Sequence, residues 1–398
     1  MSGSSQTRAS DHQLARTLFG RALRKTSTAI RDPIDSLKDS TLLAVLLLGL
    51  FERINAAAES TSKPNANMTS THNAGAAALI KHRGRANCAS PTAIGLLFAT
   101  RTQLVEHSIE EGTAFKRCPD GLSAIFKELP QNAAARLTSA TINIADLRSC
   151  AKSALLLPRS PAADQEVSDL LEYSISIDLL VAGWAETVPE SWRWQRASNF
   201  DIPSHFSAHG STEVPWSAFQ YLDKRDSYLD LWVLSIWNQY RAARIRIQSI
   251  ILACISYLGP EHEAQWYWRA VYAKMIAQEM SDEICASVPF ALGTKTMGAP
   301  TEREGVEFPY VKEKGKMGDE HTRAACALGG WHLLNPLRAV VKVQEESTTE
   351  GVIRPGQEEW CLQQMERVGR IYALQGAKGV EVKGEQMRSG QLWGEVFF

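Results

Sequence analysis

The stretch from Tyr228 to Leu258 constrains this chain more than any other feature. Its periodicity is helical, and its apolar residues fall on more than one side. Such a helix cannot rest on a surface; it has to be enclosed by other elements. Enclosure raises the question of its polar residues. Trp237, Tyr240, Arg241 and Arg244 follow i, i+3, i+4, i+7 and so share one face, with Asn238 beside them. Aromatic rings next to guanidinium groups allow stacking and cation–π contact, each worth ~0.5–2 kcal/mol. A buried arginine also needs a carboxylate or carbonyl partner. Two roles fit these four residues: they bolt the central helix to its neighbours, or they line a cleft for a ligand or partner.

The same periodicity runs through most of the chain. Asp32-Pro33, Ser90-Pro91 and Ser160-Pro161 are helix starts, each pairing a capping residue with proline at the first helical position. Ile94, Leu97, Phe98, Leu104, Val105 and Ile109 then share a face of a helix that ends near Gly112. Val167, Leu170, Leu171, Ile177, Val181 and Trp184 do the same ahead of Pro189. Further helices are expected from Gly259-Pro260 to Pro289, from His321 toward Leu334 with Pro336 kinking or ending it, and from Gln357 to Leu374 with Gly376 as a stop. Strand signals are weak, and no repeat of solenoid length is visible. Polar stretches at 59–70, 196–226 and 294–320 punctuate the helices without forming a clean linker. The expected organisation is a basic N-terminal segment over 1–31, one all-α domain over 32–380, and a tail over 381–398.

Composition narrows the function. The 398 residues hold 43 Lys and Arg against 44 Asp and Glu, a net charge of −1, whereas a domain that grips DNA by itself carries a positive excess. Residues 1–31 are locally basic, with Arg8, Arg16, Arg21, Arg24, Lys25 and Arg31 against Asp11. This is either a solvated helix face or an arm assisting nucleic-acid binding or nuclear import. The longest apolar run, Thr41 to Phe51, is too short to span a bilayer, and the polar start is unlike a signal peptide, so an intracellular chain is expected.

The seven cysteines are never closer than Cys88 and Cys118, which removes zinc sites and redox pairs of the CxxC kind. Most are expected to be buried, reduced hydrophobes. Phosphate-loop, dinucleotide, HExxH and GxSxG motifs are absent, as are paired aspartates and a haem-type cysteine loop. Acid–histidine groupings occur at Glu106-His107, Glu261-His262-Glu263 and Asp319-Glu320-His321, and read as ordinary surface charge pairs. No catalytic residue, metal or cofactor is assigned.

Several blocks of the sequence, taken in order, resemble the fungal-specific transcription factor domain, the C-terminal regulatory region of fungal binuclear-zinc-cluster transcription factors. They are Leu42 to Glu52, His72 to Gly84, Ile175 to Arg193, Leu231 to Ile245 with its Trp–Asn–x–Tyr–Arg–x–x–Arg–Ile core, Ile284 to Gly293, Gly329 to Leu337, and Trp360 to Ile371. The six clustered cysteines of that family's DNA-binding module have no counterpart here. The resemblance implies an all-α, irregular multi-helix bundle with long loops, located in the nucleus or moving between nucleus and cytoplasm, and without catalytic residues.

The expected function is that of a transcription-regulator-like protein without its own DNA-binding module. It would work by dimerisation, by recruiting protein partners such as a full-length zinc-cluster factor, or by sensing a small-molecule effector. The alternatives are a helical small-molecule-binding protein or enzyme of specialised metabolism, a truncated zinc-cluster factor, and a helical scaffold docking through a patch such as Leu392 to Phe398.

Overall fold

Local capping chemistry sets most of the helix boundaries. Ser90 accepts a hydrogen bond from the Ala93 amide at 3.0 Å, and Ser160 accepts one from Ala163 at 3.1 Å, each just ahead of a proline at the first helical position. Gly112 ends its helix at φ 62°, in the left-handed region that glycine enters without a Cβ penalty. Asp230 caps the central helix through the Val233 amide at 2.7 Å. The Asp32-Pro33 signal behaves differently. Asp32 does accept from the amides of Ile34 and Asp35, but only a single 3₁₀ turn follows, and the next α-helix starts at Asp39.

A computed structural model describes residues 3–59, 66–113, 115, 125–126, 129–197, 225–293, 321, 324–325 and 329–372. Among them the α-helices are α1 Gly3–Arg31, α2 Asp39–Glu59, α3 Ala66–Arg83, α4 Pro91–Glu111, α5 Ala133–Ala154, α6 Pro161–Glu186, α7 Leu231–Leu258, α8 Glu263–Ala291, α9 Trp331–Ser347 and α10 Gln357–Tyr372. Strands β1 Gln195–Ala197 and β2 Arg225–Ser227 form an antiparallel pair in which Arg196 sits opposite Asp226. The fold is all-α with long connections. None of the described helices is long and apolar enough to cross a membrane. The tail over 381–398, with Leu392 to Phe398, lies outside the described residues.

The chain divides into two compact units. The first takes residues up to Thr138 and those from Glu366 onward. In it α2 packs against α1, α3 and α4. Phe19 of α1 stacks on Phe51 of α2 with centroids 4.6 Å apart. Asp39 at the start of α2 receives both the Arg83 guanidinium and the Ser90 hydroxyl, which ties three helices at one carboxylate. The basic N-terminal segment is helical, and Arg21, Arg24, Lys25 and Arg31 are exposed on it.

The second unit, Ser139–Met365, is built around α7, which packs against α6, α8 and α9. From Val233 to Cys254 almost every side chain of α7 is buried, Gln239 excepted. Each aliphatic side chain so enclosed stabilises the fold by roughly 1.5–3 kcal/mol. Pro336 does not end its helix: α9 begins at Trp331 and continues through the proline to Ser347. One missing backbone donor near the start of α9 is outweighed by Leu337, Val340 and Val343, all buried beyond it. Gly329, leading into α9, lies so close to the end of α8 that a Cβ there would stand 1.7 Å from the Ala291 carbonyl oxygen.

Candidate functional site

The four residues singled out on the central helix all lie inside the second unit, and each is buried. Arg241 is wholly enclosed. Its Nε donates to Glu283 Oε2 at 2.9 Å, and its Nη1 donates to Tyr228 Oη at 2.6 Å and to Asn238 Oδ1 at 3.0 Å. Its Nη2 lies 3.6 Å from the Asp226 carboxylate. Asn238 in turn donates to the Ser287 hydroxyl at 2.9 Å. Thus α8 supplies Glu283 and Ser287, the β-pair supplies Asp226, and α7 supplies the cation. The rings of Trp194, Tyr228 and Trp237 surround the guanidinium at 5.6–5.8 Å from their centroids.

Arg244, one turn on, meets α6. It holds Asp178 through two parallel hydrogen bonds of 3.0 and 3.1 Å, the fork geometry in which arginine binds a carboxylate most firmly. Its Nη1 also reaches Tyr240 Oη at 3.4 Å, and Arg269 of α8 approaches the same aspartate at 3.6 Å. Trp237 and Tyr240 pack with Trp184 of α6 in a three-ring cluster with centroids 5.2–5.6 Å apart. The Trp237 indole donates to the Trp192 carbonyl oxygen at 2.7 Å.

Electrostatics follow from this geometry. Burial works against the Arg241 charge, but Tyr228, Glu283 and Asp226 outweigh it and hold the guanidinium more firmly protonated than a free arginine. Arg244 is raised in the same way, burial being overcome by Asp178 and Tyr240. Burial pushes the Tyr228 phenol up, so it stays protonated and can bridge Arg241 to Asp226. It also raises the Asp226 carboxyl, against the pull of Arg241 and Arg196. These cations are matched by acids from three neighbouring elements, which is the arrangement a bolt requires.

Other sequence candidates fall elsewhere. His321 rests against Phe290, its Nε2 2.9 Å from the backbone oxygen, and burial lowers its pKa. Its sequence neighbours Asp319 and Glu320 lie outside the described residues. His262 stands at the start of α8. Of the cysteines, Cys88, Cys254, Cys285 and Cys361 are buried and Cys150 is exposed, while Cys118 and Cys326 lie outside the described residues. Burial pushes the Cys254 thiol up to about 12. Among the described residues no group of three or more His, Cys, Asp or Glu side chains is placed to hold a metal ion.

Sequence reasoning missed the long-range partners. Asp178, Asp226 and Glu283 have no local pattern that marks them as counter-ions. Within the first unit, the structure also joins two of the quoted blocks. His72 Nε2 of α3 lies 2.8 Å from Glu52 Oε2 of α2, both side chains being almost fully buried. Gly49 allows that contact, because a Cβ there would come within 2.9 Å of the His72 Cβ.

No protein-family model matches the chain, and no solved structure matches it. Among curated proteins, transcription factor dbaG of Emericella nidulans is 22% identical over 377 residues, which span 94% of this chain and 78% of that protein. The chain is therefore similar to a fungal transcription factor along nearly its whole length.

Proposed function

We propose that this chain is a transcription-regulating helical module that acts through protein contacts rather than through catalysis. The observation that carries the reading is the collinear similarity to transcription factor dbaG across 94% of the chain. Two features of the molecule support it. Arg241 and Arg244 are taken up by internal acids, which favours a structural role for the central stripe over a ligand cleft. The sequence also lacks the closely spaced cysteines from which a zinc-organised reading head is built, so its contribution to transcription passes through its helical surfaces. The nucleus is the compartment this role requires.

Deletion of the gene, followed by transcript profiling and by localisation of a fluorescent fusion, tests the proposal. It predicts coordinated change in a defined set of transcripts and nuclear accumulation of the fusion. Unchanged transcripts, with the fusion excluded from the nucleus, would refute it.

A further inference from the structure

Helix α8 has two unlike halves on its outward side. Toward its C-terminus, Gln278 and Asp282 are engaged by Arg354 and Gln357, the residues that lead into α10. Toward its N-terminus the same side is open and strongly apolar. Trp268 is 77% exposed, Met275 54%, Tyr267 51%, Val271 42% and Tyr272 40%. Trp268, Val271 and Met275 follow i, i+3, i+7 and form one stripe, with Tyr267 and Tyr272 on its two flanks. The two cations in this stretch are turned away from it. Arg269 reaches inward to Asp178, and Lys274 reaches the Glu350 carbonyl oxygen at 3.3 Å.

An isolated exposed leucine needs no explanation, but a contiguous patch of two tyrosines, a tryptophan, a methionine and a valine does. Tryptophan, tyrosine and methionine are the residue types enriched at the centres of protein interfaces. Scaling ~150–250 Å² per aromatic side chain by these exposures, with somewhat less for the aliphatic ones, gives an exposed patch of about 500 Å². A standard interface buries ~800 Å² on each partner, an apolar centre with a polar rim. Gln265 and Glu279 stand exposed at the ends of the stripe to supply that rim.

We infer that this face of α8 is a homodimer interface in which two copies pair antiparallel about a two-fold axis near Val271 and Tyr272. The stripe is self-complementary in that register. Trp268 of each copy meets Met275 of the other, a bulky ring against a flexible thioether, which is a favourable sulfur–aromatic pairing. Val271 meets Tyr272 across the axis. At the ends Ala264 meets Glu279, and Gln265 comes beside Gln278, whose amide stays bonded to Asp282 and Gln357, so no like charges oppose one another. An isologous contact of this kind closes at two copies. The inference is independent of the transcriptional reading, since it concerns solution mass alone.

Sedimentation equilibrium of the full chain over a dilution series tests it. The expected result is a mass rising from 44.0 kDa toward twice that value as concentration increases. Trp268→Glu combined with Met275→Glu should hold the mass at 44.0 kDa at every concentration, with an unchanged circular dichroism spectrum and, at dilutions where the parent is also monomeric, an unchanged melting temperature, because both side chains are exposed on the single chain. Leu156→Glu, at an exposed position off the helix, should leave association intact. In a separate arm, Val271→Cys in a Cys150→Ser background should give a covalent dimer on mild oxidation that the parent lacks. A monomer at all concentrations would overturn the inference and give the face to another occupant. A dimer that survives the double substitution would also overturn it.

Discussion

Replacing Arg241 with methionine isolates the role of the central polar cluster. The substitution keeps an unbranched chain of similar reach and removes the charge. Two carboxylates lose a partner, but not equally. Asp226 retains Arg196, whose Nε lies 3.2 Å from Oδ1. Glu283, only 12% exposed at its side chain, loses the guanidinium that bonded it at 2.9 Å. Tyr228 and Asn238 each lose a buried donor as well.

Breaking a buried ion pair from one side typically costs ~3–5 kcal/mol. With Asp226 still partnered, the expected loss is near the lower limit, about 3 kcal/mol. For a unit of 150–250 residues that corresponds to a fall in melting temperature of roughly 6–12 °C. Thermal unfolding followed by circular dichroism reads it directly. Adding Glu283→Gln to the methionine variant should recover much of the loss, because the stranded charge is gone while Asp226 keeps Arg196. A bolt predicts recovery of stability and of regulatory output together. A melting temperature within about 2 °C of the parent for Arg241→Met would refute the reasoning, since a buried charge of this kind cannot be removed so cheaply.

Other positions test separate parts of the structure. Gly49→Ala should destabilise the first unit by about 1 kcal/mol net, the gain in helix propensity being outweighed by a Cβ at 2.9 Å from the His72 Cβ, and chemical denaturation would measure it. Gly329→Ala should cost more than ~3 kcal/mol, because the Ala291 carbonyl that blocks the new Cβ is backbone and cannot rotate away; soluble yield and melting temperature are the readouts. Burial lowers His332 from its ordinary value of 6.5 to about 4. The unfolded chain therefore binds a proton below pH 6.5 that the folded chain does not. The associated stability is fully present above pH 6.5, is lost as pH falls toward 4, and amounts to about 3 kcal/mol at most. Denaturation midpoints across that window should slope downward toward acid, and His332→Phe should flatten the slope.

Much of the helical framework was legible because its signals are local. Ser90, Ser160 and Gly112 act through neighbours within a few residues, so the chain itself displays them. The enclosure of α7 was legible for a similar reason: apolar residues on several sides leave no solvated face. The β1–β2 pair was not, since strands of three residues separated by a long connection carry no alternation to read. At Pro336 local chemistry leaves a kink or an end open, and packing of Leu337, Val340 and Val343 carries the helix past it, so the end is not taken. The site was half legible. Spacing put Trp237, Tyr240, Arg241 and Arg244 on one face, but only folding brings Asp178, Asp226 and Glu283 from distant elements to meet them. Nor does spacing separate a buried aromatic from an exposed one, so Trp268 gave no sign that it differs from Trp184.

Amide hydrogen exchange along α7 addresses the central claim most directly. If the helix is an enclosed hub whose cations are spent internally, amides from Val233 to Cys254 should exchange only through unfolding of the whole second unit, with an opening free energy equal to its global stability. Exchange at rates comparable to those around the exposed Leu14 and Leu18 of α1, through local opening around Arg241 and Arg244, would contradict it.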